Sequence, residues 1–471
     1  MCWWRSLTNM KTIKKRGLPQ KGRIFKSALM KSRLSPGLYH FRIADDKSNT
    51  RIHLRVDPDG SGTLVINASS ILHLNPSATM IAYHHLEGST PDEIKIKLIR
   101  GFDQVEDQID QDIQLISADL DAFIQADGKP VNTFSGVEIN APYSQHPTAP
   151  YRMDLAITYR CNNDCPHCYN ARLRSYPELD TAKWKKIIDR LWDLNIPHLI
   201  FTGGEPTLRD DLPELIQHAE NLGQITGLNT NARRLSDPAF TQSLVNAGLD
   251  HIQITVESHD SEIHDQMVNK KGAWNQTIAG VQNALDSSLF VMTNTTMLKN
   301  NYLSIGTTLD FLIDLGVPTI GLNALIYSGR GKDVGTGLNE EELKPLLAIA
   351  KEKTSKSGTK LIWYTPTLYC HFNPLEMDLG IKGCTAALYN MCVEPDGGVI
   401  PCQSYYHQLG NLLDDPWKSI WEHDLSLELR QRRYLPEECQ TCSLMEECGA
   451  GCPLAYAAHP RVVQPIIPPP N

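Results

Sequence analysis

The stretch CNNDCPHC, residues 161 to 168, carries three cysteines, Cys161, Cys165 and Cys168. A cuboidal iron–sulfur cluster is otherwise held by four thiolates, so a set of three leaves one iron open. Open coordination positions are typical of catalytic metal sites, whereas structural sites are closed. The sequence therefore predicts iron–sulfur chemistry here. The alternative is a zinc knuckle or three incidental thiols, but zinc sites favour two CxxC-like pairs and no fourth ligand follows nearby.

A second motif, FTGGEP at residues 201 to 206, follows the strand-like run HLIFT. Together, CxxxCxxC and GGEP resemble the radical S-adenosylmethionine (radical SAM) enzymes. The resemblance implies that the open iron of a [4Fe-4S] cluster binds the amino and carboxylate groups of S-adenosylmethionine (SAM). It also implies that the reduced cluster cleaves SAM to a 5′-deoxyadenosyl radical, which abstracts a hydrogen from the substrate. An electron donor such as ferredoxin or flavodoxin is then required.

The resemblance also implies a set of residues that contact SAM. These are Gly203, Gly204, Glu205 and Pro206 of the GGEP motif, together with His167, Ser258 and Asn294. The two glycines lack a side chain that would keep the backbone away from a ligand. Glu205 is expected to accept a hydrogen bond from the methionine ammonium, and His167 to lie against the adenine. Ser258 and Asn294 are expected near the ribose or the methionine carboxylate, although polar residues at strand ends are also common without function.

Length and composition indicate a multidomain enzyme. The 471 residues predict about three domains. No apolar run approaches the roughly 20 residues that a membrane helix needs, so no membrane partner is expected. The twelve cysteines are too few for a disulfide scaffold and cluster in metal-ligand patterns. A reducing compartment, and hence a cytoplasmic location, is predicted.

The amino-terminal arm differs in composition from the rest of the chain. Residues 1 to 34 contain ten Lys or Arg and no Asp or Glu, which leaves a formal net charge of −19 for the remainder of a chain whose total is −9. The arm lacks the apolar core of a secretory signal, so residues 1 to 36 are predicted to be a basic disordered arm. An organelle transit peptide is the alternative.

The first folded domain is predicted over residues 37 to 142. RIHLRV (51 to 56) and TLVINA (63 to 68) flank the turn DPDGSG, which indicates a β-hairpin. Thr90, Pro91 and Glu93 predict a helix start with a capping box. Apolar residues then recur at helical spacing at Val105, Ile109, Ile113, Ile116, Leu120 and Ile124. The expected domain is a hairpin followed by three helices.

The run from residue 62 to residue 94 resembles the PqqD-like peptide-recognition domains of ribosomal-peptide modification systems. The resemblance implies a winged-helix (α+β) domain that takes a precursor peptide as an added strand at the edge of its sheet. The alternatives are a winged helix that only packs or that reads nucleic acid. Nucleic acid is disfavoured because the last predicted helix would repel phosphates through Glu106, Asp107, Asp110, Asp112, Asp119 and Asp121.

Strand-like and helix-like runs alternate between residues 150 and 366. The predicted strands are LAITY, HLIFT, ITGLNT, HIQITVE, FVMTNTTM and TIGLNALI, with LIWYT as a late addition. Such alternation indicates a parallel sheet, and hence the α/β class. Six units suggest the partial (β/α)6 barrel of the radical SAM family, with the chemistry at the carboxyl ends of the strands. The cysteine triplet follows the first strand and GGEP the second, so both motifs are expected on one rim.

The carboxy-terminal cysteines form a second pattern, CQTCSLMEECGAGC (439 to 452), preceded by CTAALYNMCVEPDGGVIPC (384 to 402). It resembles SPASM domains, which implies one or two auxiliary [4Fe-4S] clusters. The domain is predicted at residues 367 to 460, before a Pro-rich tail at 461 to 471. Its candidate ligands are Cys370, Cys384, Cys392, Cys402, Cys439, Cys442, Cys448 and Cys452. A structural zinc ribbon at 439 to 452 is the alternative.

The SPASM resemblance implies two ligand groups. One consists of Cys384, Cys402 and Cys452, and the other of Cys439, Cys442 and Cys448. The cysteine usually found beyond the array is missing, because residues 453 to 471 contain none. One auxiliary cluster is therefore expected to keep an open iron or to recruit Cys370 or Cys392.

These features together favour the oxidative modification of a ribosomally synthesised peptide, with a thioether or a carbon–carbon crosslink as the product. Anaerobic sulfatase maturases share the cysteine layout but carry a catalytic aspartate where this chain has Gln403, which counts against that subgroup. A second hypothesis is a radical SAM enzyme that acts on a haem or quinone cofactor precursor. A third is a cluster-bearing scaffold that binds peptide without cleaving SAM.

Overall fold

The computed structural model describes residues 34–44, 49–67, 70–101, 106–125 and 147–458. The chain divides into two compact units, Met1–Ala141 and Pro142–Asn471. The predicted basic arm up to residue 33, the helix position Val105, the linker up to residue 146 and the Pro-rich tail lie outside the described residues.

The first unit begins with an antiparallel sheet of four strands. They are β1 (Gly37–Ala44), β2 (Asn49–Val56), β3 (Gly62–Ile66) and β4 (Ser70–Leu74), in that spatial order. The predicted hairpin is confirmed as β2 and β3, and the amide of Gly60 closes its turn by donating to the Asp57 carbonyl at 2.9 Å. Strands β1 and β4, which form the two edges of the sheet as far as the described residues show, were not predicted from the sequence.

Three helices follow the sheet, as predicted. They are α1 (Pro76–Leu86), α2 (Pro91–Gly101) and α3 (Glu106–Gln125). The capping box of α2 is present, because the Thr90 amide donates to the Glu93 carboxylate at 2.8 Å and the Glu93 amide donates to the Thr90 hydroxyl at 3.4 Å. Apolar side chains of α3 at the predicted spacing are buried against the sheet's core. The unit is thus a four-stranded sheet backed by three helices.

The second unit contains a sheet of ten strands. Seven of them run parallel: β5 (Arg152–Thr158), β6 (His198–Gly203), β7 (Ile225–Thr230), β8 (His251–Thr255), β9 (Phe290–Thr296), β10 (Thr319–Asn323) and β11 (Lys360–Trp363). All seven predicted strand runs are confirmed. Three further strands, β12 (Asn390–Val393), β13 (Gly398–Ile400) and β14 (Gly410–Asn411), extend the sheet beyond β5. The sheet's edges in the described residues are β11 and β14, so it is open, as a partial barrel is.

Helices alternate with the first seven strands. They are α4 (Thr181–Asp193), α5 (Leu212–Leu222), α6 (Pro238–Asn246), α7 (Ser261–Met267), α8 (Ala273–Leu285), α9 (Ile305–Asp314) and α10 (Glu340–Ser357). In α4, the residues predicted to share one face, Trp184, Ile187, Ile188 and Leu191, are all fully buried. That apolar face packs the helix against the core of the sheet.

The carboxy-terminal part, after β11, contains short elements and the second cysteine pattern. Its helices are α11 (Trp417–Trp421), α12 (Asp424–Arg430), α13 (Met445–Cys448) and α14 (Pro453–Ala458). Strand β12 pairs in parallel with β5, so this part is joined to the barrel sheet beside the strand that precedes the cysteine triplet. None of the helices in the described part of the chain combines the length and apolar character needed to span a bilayer.

Candidate active site

The cysteine triplet and the GGEP motif lie on neighbouring loops. The triplet follows β5 and GGEP follows β6, and these two strands pair in parallel. Their carboxyl ends therefore meet at one edge of the sheet. The thiols of Cys161, Cys165 and Cys168 are half-buried, and each interacts electrostatically with another of the three. The structure thus brings the predicted triplet together beside GGEP.

The surroundings of these thiols fit a metal cluster. Burial, and next to it the Glu205 carboxylate, raises the pKa of the Cys161 thiol to about 11. Burial and the neighbouring Cys168 raise the pKa of Cys165 well above its usual value. Cys161, Cys165 and Cys168 would hold a cluster as thiolates, for which its iron would supply the compensating positive charge. Within the described residues, no three His, Cys, Asp or Glu side chains are arranged around a single-ion position.

Three arginines that were not predicted from the sequence hold the cluster loop. Arg174 donates to the Cys161 carbonyl at 2.8 Å, and Arg233 donates to the carbonyl of Asn162 at 2.6 Å. The Arg330 guanidinium binds the Asp164 carboxylate at 2.9 Å and interacts with the Cys168 sulfur. Their guanidinium charges stabilise negative charge on the cluster loop. No sequence motif marks them, because each comes from a different part of the chain.

The two glycines of GGEP are required by packing between the loops. A Cβ at Gly203 would lie 2.1 Å from the Thr158 carbonyl oxygen, and one at Gly204 would lie 2.3 Å from the Arg160 carbonyl oxygen. The amide of Gly204 also donates to Thr158 at 2.8 Å, and that of Glu205 donates to Arg160 at 2.8 Å. From the sequence, the glycines were expected to permit close approach of a ligand. These contacts show instead that the glycines let the GGEP loop lie close to the segment that leads into the cysteine triplet.

Glu205 is fully buried, and its carboxylate is held by four hydrogen bonds. One oxygen accepts from the Thr207 amide and hydroxyl, at 3.1 and 2.6 Å, and from the Thr230 hydroxyl at 2.7 Å. The other accepts from the Asn231 amide at 2.8 Å. Burial raises the pKa of Glu205, while these donors favour the ionised form. A fixed carboxylate beside Cys161 is suited to bind a cationic group.

His167 is tied to a second buried carboxylate. Its Nε2 lies 3.0 Å from an oxygen of Glu257, which follows β8. The other oxygen of Glu257 accepts from the amide of Thr296 at 2.9 Å. The sequence places His167 against the adenine by resemblance and gives no sign of Glu257. Glu257 positions the imidazole between the second and third cysteines.

Ser258 and Asn294 have different surroundings. Ser258 is fully buried, and its hydroxyl accepts from the amide of Asp260 at 3.1 Å. Asn294 is half-buried in β9, and its side-chain oxygen is buried yet receives no hydrogen bond from the described residues. Of these two predicted SAM contacts, Asn294 is the one whose side-chain oxygen receives no hydrogen bond from the described residues. Pro206 is buried and begins a short 3₁₀ helix after GGEP.

The auxiliary cysteines fall into separate groups. Electrostatic interactions link Cys384 with Cys402 and Cys452, and burial, followed by those two thiols, raises the pKa of Cys384 above its usual value. Tyr405 and Tyr434 lie beside this group. As at the triplet, bound iron would supply the positive charge that buried thiolates need, so this group is suited to hold a cluster.

A second group contains Cys439, Cys442 and Cys448, joined by Cys370. Cys392 belongs to neither group's apolar cluster, although it interacts electrostatically with Cys402. It lies fully buried in β12, between β5 and β13.

Contacts also join the loop that carries the cysteine triplet to the segment around the auxiliary ligand candidate Cys402. The hydroxyl of Tyr169, directly after Cys168, donates to the side chain of Gln403 at 3.2 Å, and Gln403 directly follows Cys402. Arg172, in the same loop, makes two hydrogen bonds of 2.7 and 2.8 Å to the fully buried carboxylate of Glu394. These contacts fix the loop against the strands that lead to Cys402.

Comparisons with known families agree with this arrangement. The sequence matches the Radical SAM superfamily over residues 155–312 and the iron–sulfur cluster-binding domain SPASM over residues 384–443. The chain therefore carries a radical SAM domain and a SPASM domain. These domains imply a [4Fe-4S] cluster, SAM, and auxiliary clusters.

Several known proteins are similar to this chain. A PqqA peptide cyclase from Rhizobium meliloti is 28% identical over 67% of this chain and 86% of its own length. An AdoMet-dependent heme synthase from Methanosarcina barkeri is 28% identical over 66% of this chain and 93% of its own length. The fold resembles that of Streptococcus suis SuiB bound to its precursor peptide SuiA, with a TM-score of 0.65, 17% identity, and coverage of 88% of this chain and 97% of SuiB.

The chemistry of the site follows from these parts. When bound, the cluster supplies one-electron reduction of SAM, and the protein's contribution is to position SAM and exclude water. Glu205 provides a fixed anion next to Cys161. Asn294, in β9, provides a buried acceptor oxygen that receives no hydrogen bond from the described residues. The arginines around the triplet hold its loop in the shape that brings three thiols together.

Proposed function

We propose that this chain is a radical SAM enzyme that oxidatively modifies a ribosomally synthesised peptide, forming a thioether or a carbon–carbon crosslink. In this proposal Cys161, Cys165 and Cys168 hold the catalytic cluster. Glu205 binds the ammonium of SAM, with Gly203, Gly204, Pro206, His167, Ser258 and Asn294 forming the rest of its site. A ferredoxin or flavodoxin supplies electrons, in a reducing compartment such as the cytoplasm, which the clustered cysteines favour.

The proposal of a peptide substrate is supported mainly by the presence of the first unit. The likeness to SuiB covers 88% of the chain, which is more than Pro142–Asn471 contains. SuiB in that structure is bound to its precursor peptide, SuiA. Among the described residues of the first unit, β1 and β4 are the edge strands, and a sheet edge can take an extended peptide as an added strand. We therefore assign residues 37 to 142 to precursor-peptide capture.

A small-molecule substrate is the second candidate. It is favoured by the similarity to a heme synthase, whose identity to this chain equals that of the peptide cyclase. That match covers 66% of this chain, so it does not require the first unit to take part in catalysis. In this candidate function the first unit only packs.

The test uses the full chain with its clusters intact, under anaerobic reduction with SAM. Release of 5′-deoxyadenosine by the wild type and its loss in Cys165→Ala would support the radical mechanism, whereas equal release would reject it. The immobilised chain is then exposed to lysate of its source cells, and bound species below a few kilodaltons are read by mass spectrometry. Recovery of one genetically encoded peptide that gains a crosslink on turnover supports the proposal. Turnover of a porphyrin or quinone precursor, without such a peptide, would replace it with the second candidate.

A further inference from the structure

The cysteine array at residues 439 to 452 contributes cysteines to both auxiliary groups, because its backbone turns sharply between Cys448 and Cys452. Gly449, Ala450 and Gly451 all have positive φ, at 57°, 55° and 70°. A non-glycine residue such as Ala450 rarely adopts this left-handed conformation. In a continuous helix, Cys448 and Cys452 would lie on one face, four positions apart. The turn instead separates them, so that Cys452 interacts with Cys384 and Cys402 while Cys448 stays beside Cys439.

The segment that leaves β11 lies directly against Cys448. The amide of Tyr369 donates to the Cys448 sulfur at 3.3 Å, and that sulfur lies 3.6 Å from the Thr367 carbonyl oxygen. The indole of Trp363, at the end of β11, donates to the Thr367 hydroxyl at 2.9 Å and so anchors the segment. A Cβ at Gly451 would lie 3.2 Å from the Leu368 nitrogen. These contacts hold residues 367 to 369 against Cys448 and Gly451, and the next residue, Cys370, interacts electrostatically with Cys448.

Cys370 shares the surroundings of the array cysteines. It packs against the apolar cluster that includes Cys439 and Cys448. The thiol of Cys439 interacts electrostatically with those of Cys448, Cys442 and Cys370. Cys448 likewise interacts electrostatically with Cys370. Cys439 therefore lies within electrostatic range of Cys448, Cys442 and Cys370, and Cys448 lies within range of Cys370.

Cys392, the other candidate, has different neighbours. Its strand register places it opposite Asp154 on one side and Ile400 on the other. It packs with Ala156 and Tyr159, and its sulfur lies 3.7 Å from the carbonyl oxygen of Val393. The electrostatic partners of Cys392 include Asp154, Glu394 and Cys402. Its buried sheet position fits an apolar core residue.

We propose that Cys370 is the fourth thiolate ligand of the auxiliary cluster held by Cys439, Cys442 and Cys448. Four thiolates close a [4Fe-4S] site. The fourth ligand thus comes from the segment after the barrel instead of from beyond the array. Cys384, Cys402 and Cys452 remain as a set of three, and Cys392 is a core residue. This assignment does not depend on the substrate of the enzyme.

The first test uses the wild-type full chain. Cys370 is half-exposed, so its free thiol should react with an alkylating reagent. Under anaerobic conditions, Cys370 and Cys442 should resist alkylation while iron is bound and react after a chelator has removed it, as read by peptide mass spectrometry. Alkylation of Cys370 at equal rates with and without iron would overturn the assignment.

The second test compares two buried or half-buried cysteines in a chain that lacks the radical cluster through Cys161→Ala, Cys165→Ala and Cys168→Ala. Cys370→Ala should lose between one and about four iron atoms of the roughly eight that two cubes contain. Cys392→Ala, the matched control, should keep the iron and sulfide content of its parent. If Cys370→Ala keeps the parent's content while Cys392→Ala loses iron, the assignment is wrong.

A third variant separates ligation from folding. Cys370→Ser offers an oxygen ligand of similar size, so the chain should keep its circular dichroism spectrum. One auxiliary cluster should then change its reduction potential and its electron paramagnetic resonance spectrum, because the sulfur ligand is lost. Unchanged spectra of both auxiliary clusters in Cys370→Ser would contradict the proposal, because they would show that residue 370 does not bind iron.

Discussion

The histidine pair at the amino-terminal ends of β6 and β8 shows how a single side chain can set the pH dependence of the barrel. Nε2 of His198 lies 2.9 Å from Nε2 of His251. Burial, and next to it the charge of Arg152, lowers the pKa of His251 to about 4. Gly227 makes room for the ring, because a Cβ there would lie 2.2 Å from it. The folded chain therefore holds His251 neutral at pH values where an unfolded chain would protonate it.

Stability should consequently fall as the pH is lowered. In the unfolded chain His251 gains a proton below its ordinary pKa of 6.5, whereas in the folded chain it does so only near 4. The stabilisation is therefore complete above pH 6.5 and is lost between pH 6.5 and pH 4, by up to roughly 3 kcal/mol. Urea unfolding followed by tryptophan fluorescence across this range measures it. His251→Gln should flatten the dependence, and an identical slope in that variant would contradict the assignment.

The buried pair of Arg172 and Glu394 is a second place where single residues contribute to the stability of the fold. The carboxylate of Glu394 is fully buried and receives both hydrogen bonds of the guanidinium. Removing one member of a buried pair leaves an uncompensated charge and costs about 3–5 kcal/mol. Arg172→Met should therefore lower the free energy of unfolding by about 3 kcal/mol. The double variant with Glu394→Leu should recover part of that loss.

The matched control for this pair is Lys356→Met. Its partner Glu352 is one turn away on α10, and both side chains are mostly exposed. Exposed pairs contribute little, so the unfolding midpoint should not change measurably. Equal effects of Arg172→Met and Lys356→Met in thermal and urea unfolding would show that burial does not decide the strength of the Arg172 pair.

At the level of loops and strands, the turn after β6 should be sensitive to a single added methyl group. Gly204→Ala would push a Cβ against the carbonyl oxygens of Arg160 and Tyr159, which are backbone atoms that cannot move aside cheaply. We expect a lower melting temperature and loss of about four iron atoms, those of the cluster at the triplet. Gly306→Ala is the control, because its Cβ in α9 would find no heavy atom closer than 3.6 Å. Full iron content in Gly204→Ala would show that the two loops tolerate separation.

The strands of the barrel could be predicted because their signal is local. HLIFT and ITGLNT are short apolar runs between helical patterns, and they became β6 and β7. The edge strand β1 was missed although YHFRI alternates between apolar and polar residues, and Tyr39 and Phe41 pack against the core of the first unit. Strand β12 was missed because it is only four residues long and is stabilised by pairing with β5, which is distant in sequence. Pairing between distant segments leaves no local pattern.

The candidate site shows the same difference between local signals, which could be predicted, and contacts between distant segments, which could not. Cysteine spacing and GGEP predicted which residues meet at the rim, since their loops follow neighbouring strands. Arg233 and Glu257 could not be predicted, because each acts on the cluster loop through contacts across about 70 to 90 positions of sequence. The sequence left Cys370 and Cys392 as equal alternatives for the missing ligand. Only the path of the chain after β11 distinguishes them, through the contact of Tyr369 with Cys448.

For the whole molecule, the division into two units separates two tasks that the proposed function combines. The cysteine triplet, GGEP and both auxiliary groups lie within Pro142–Asn471, and the edge strands β1 and β4 lie within Met1–Ala141. A chain that begins at residue 147 keeps every described element of the second unit. It should therefore keep its iron content and a basal release of 5′-deoxyadenosine, whereas modification of a captured peptide should fall at least tenfold, a loss of about 1.4 kcal/mol of binding free energy. The peptide dependence of kcat/KM, measured for the full and shortened chains in parallel, checks this expectation. A peptide turned over equally well by both chains would place its recognition in the second unit, and a haem or quinone precursor turned over equally well by both would favour the small-molecule candidate.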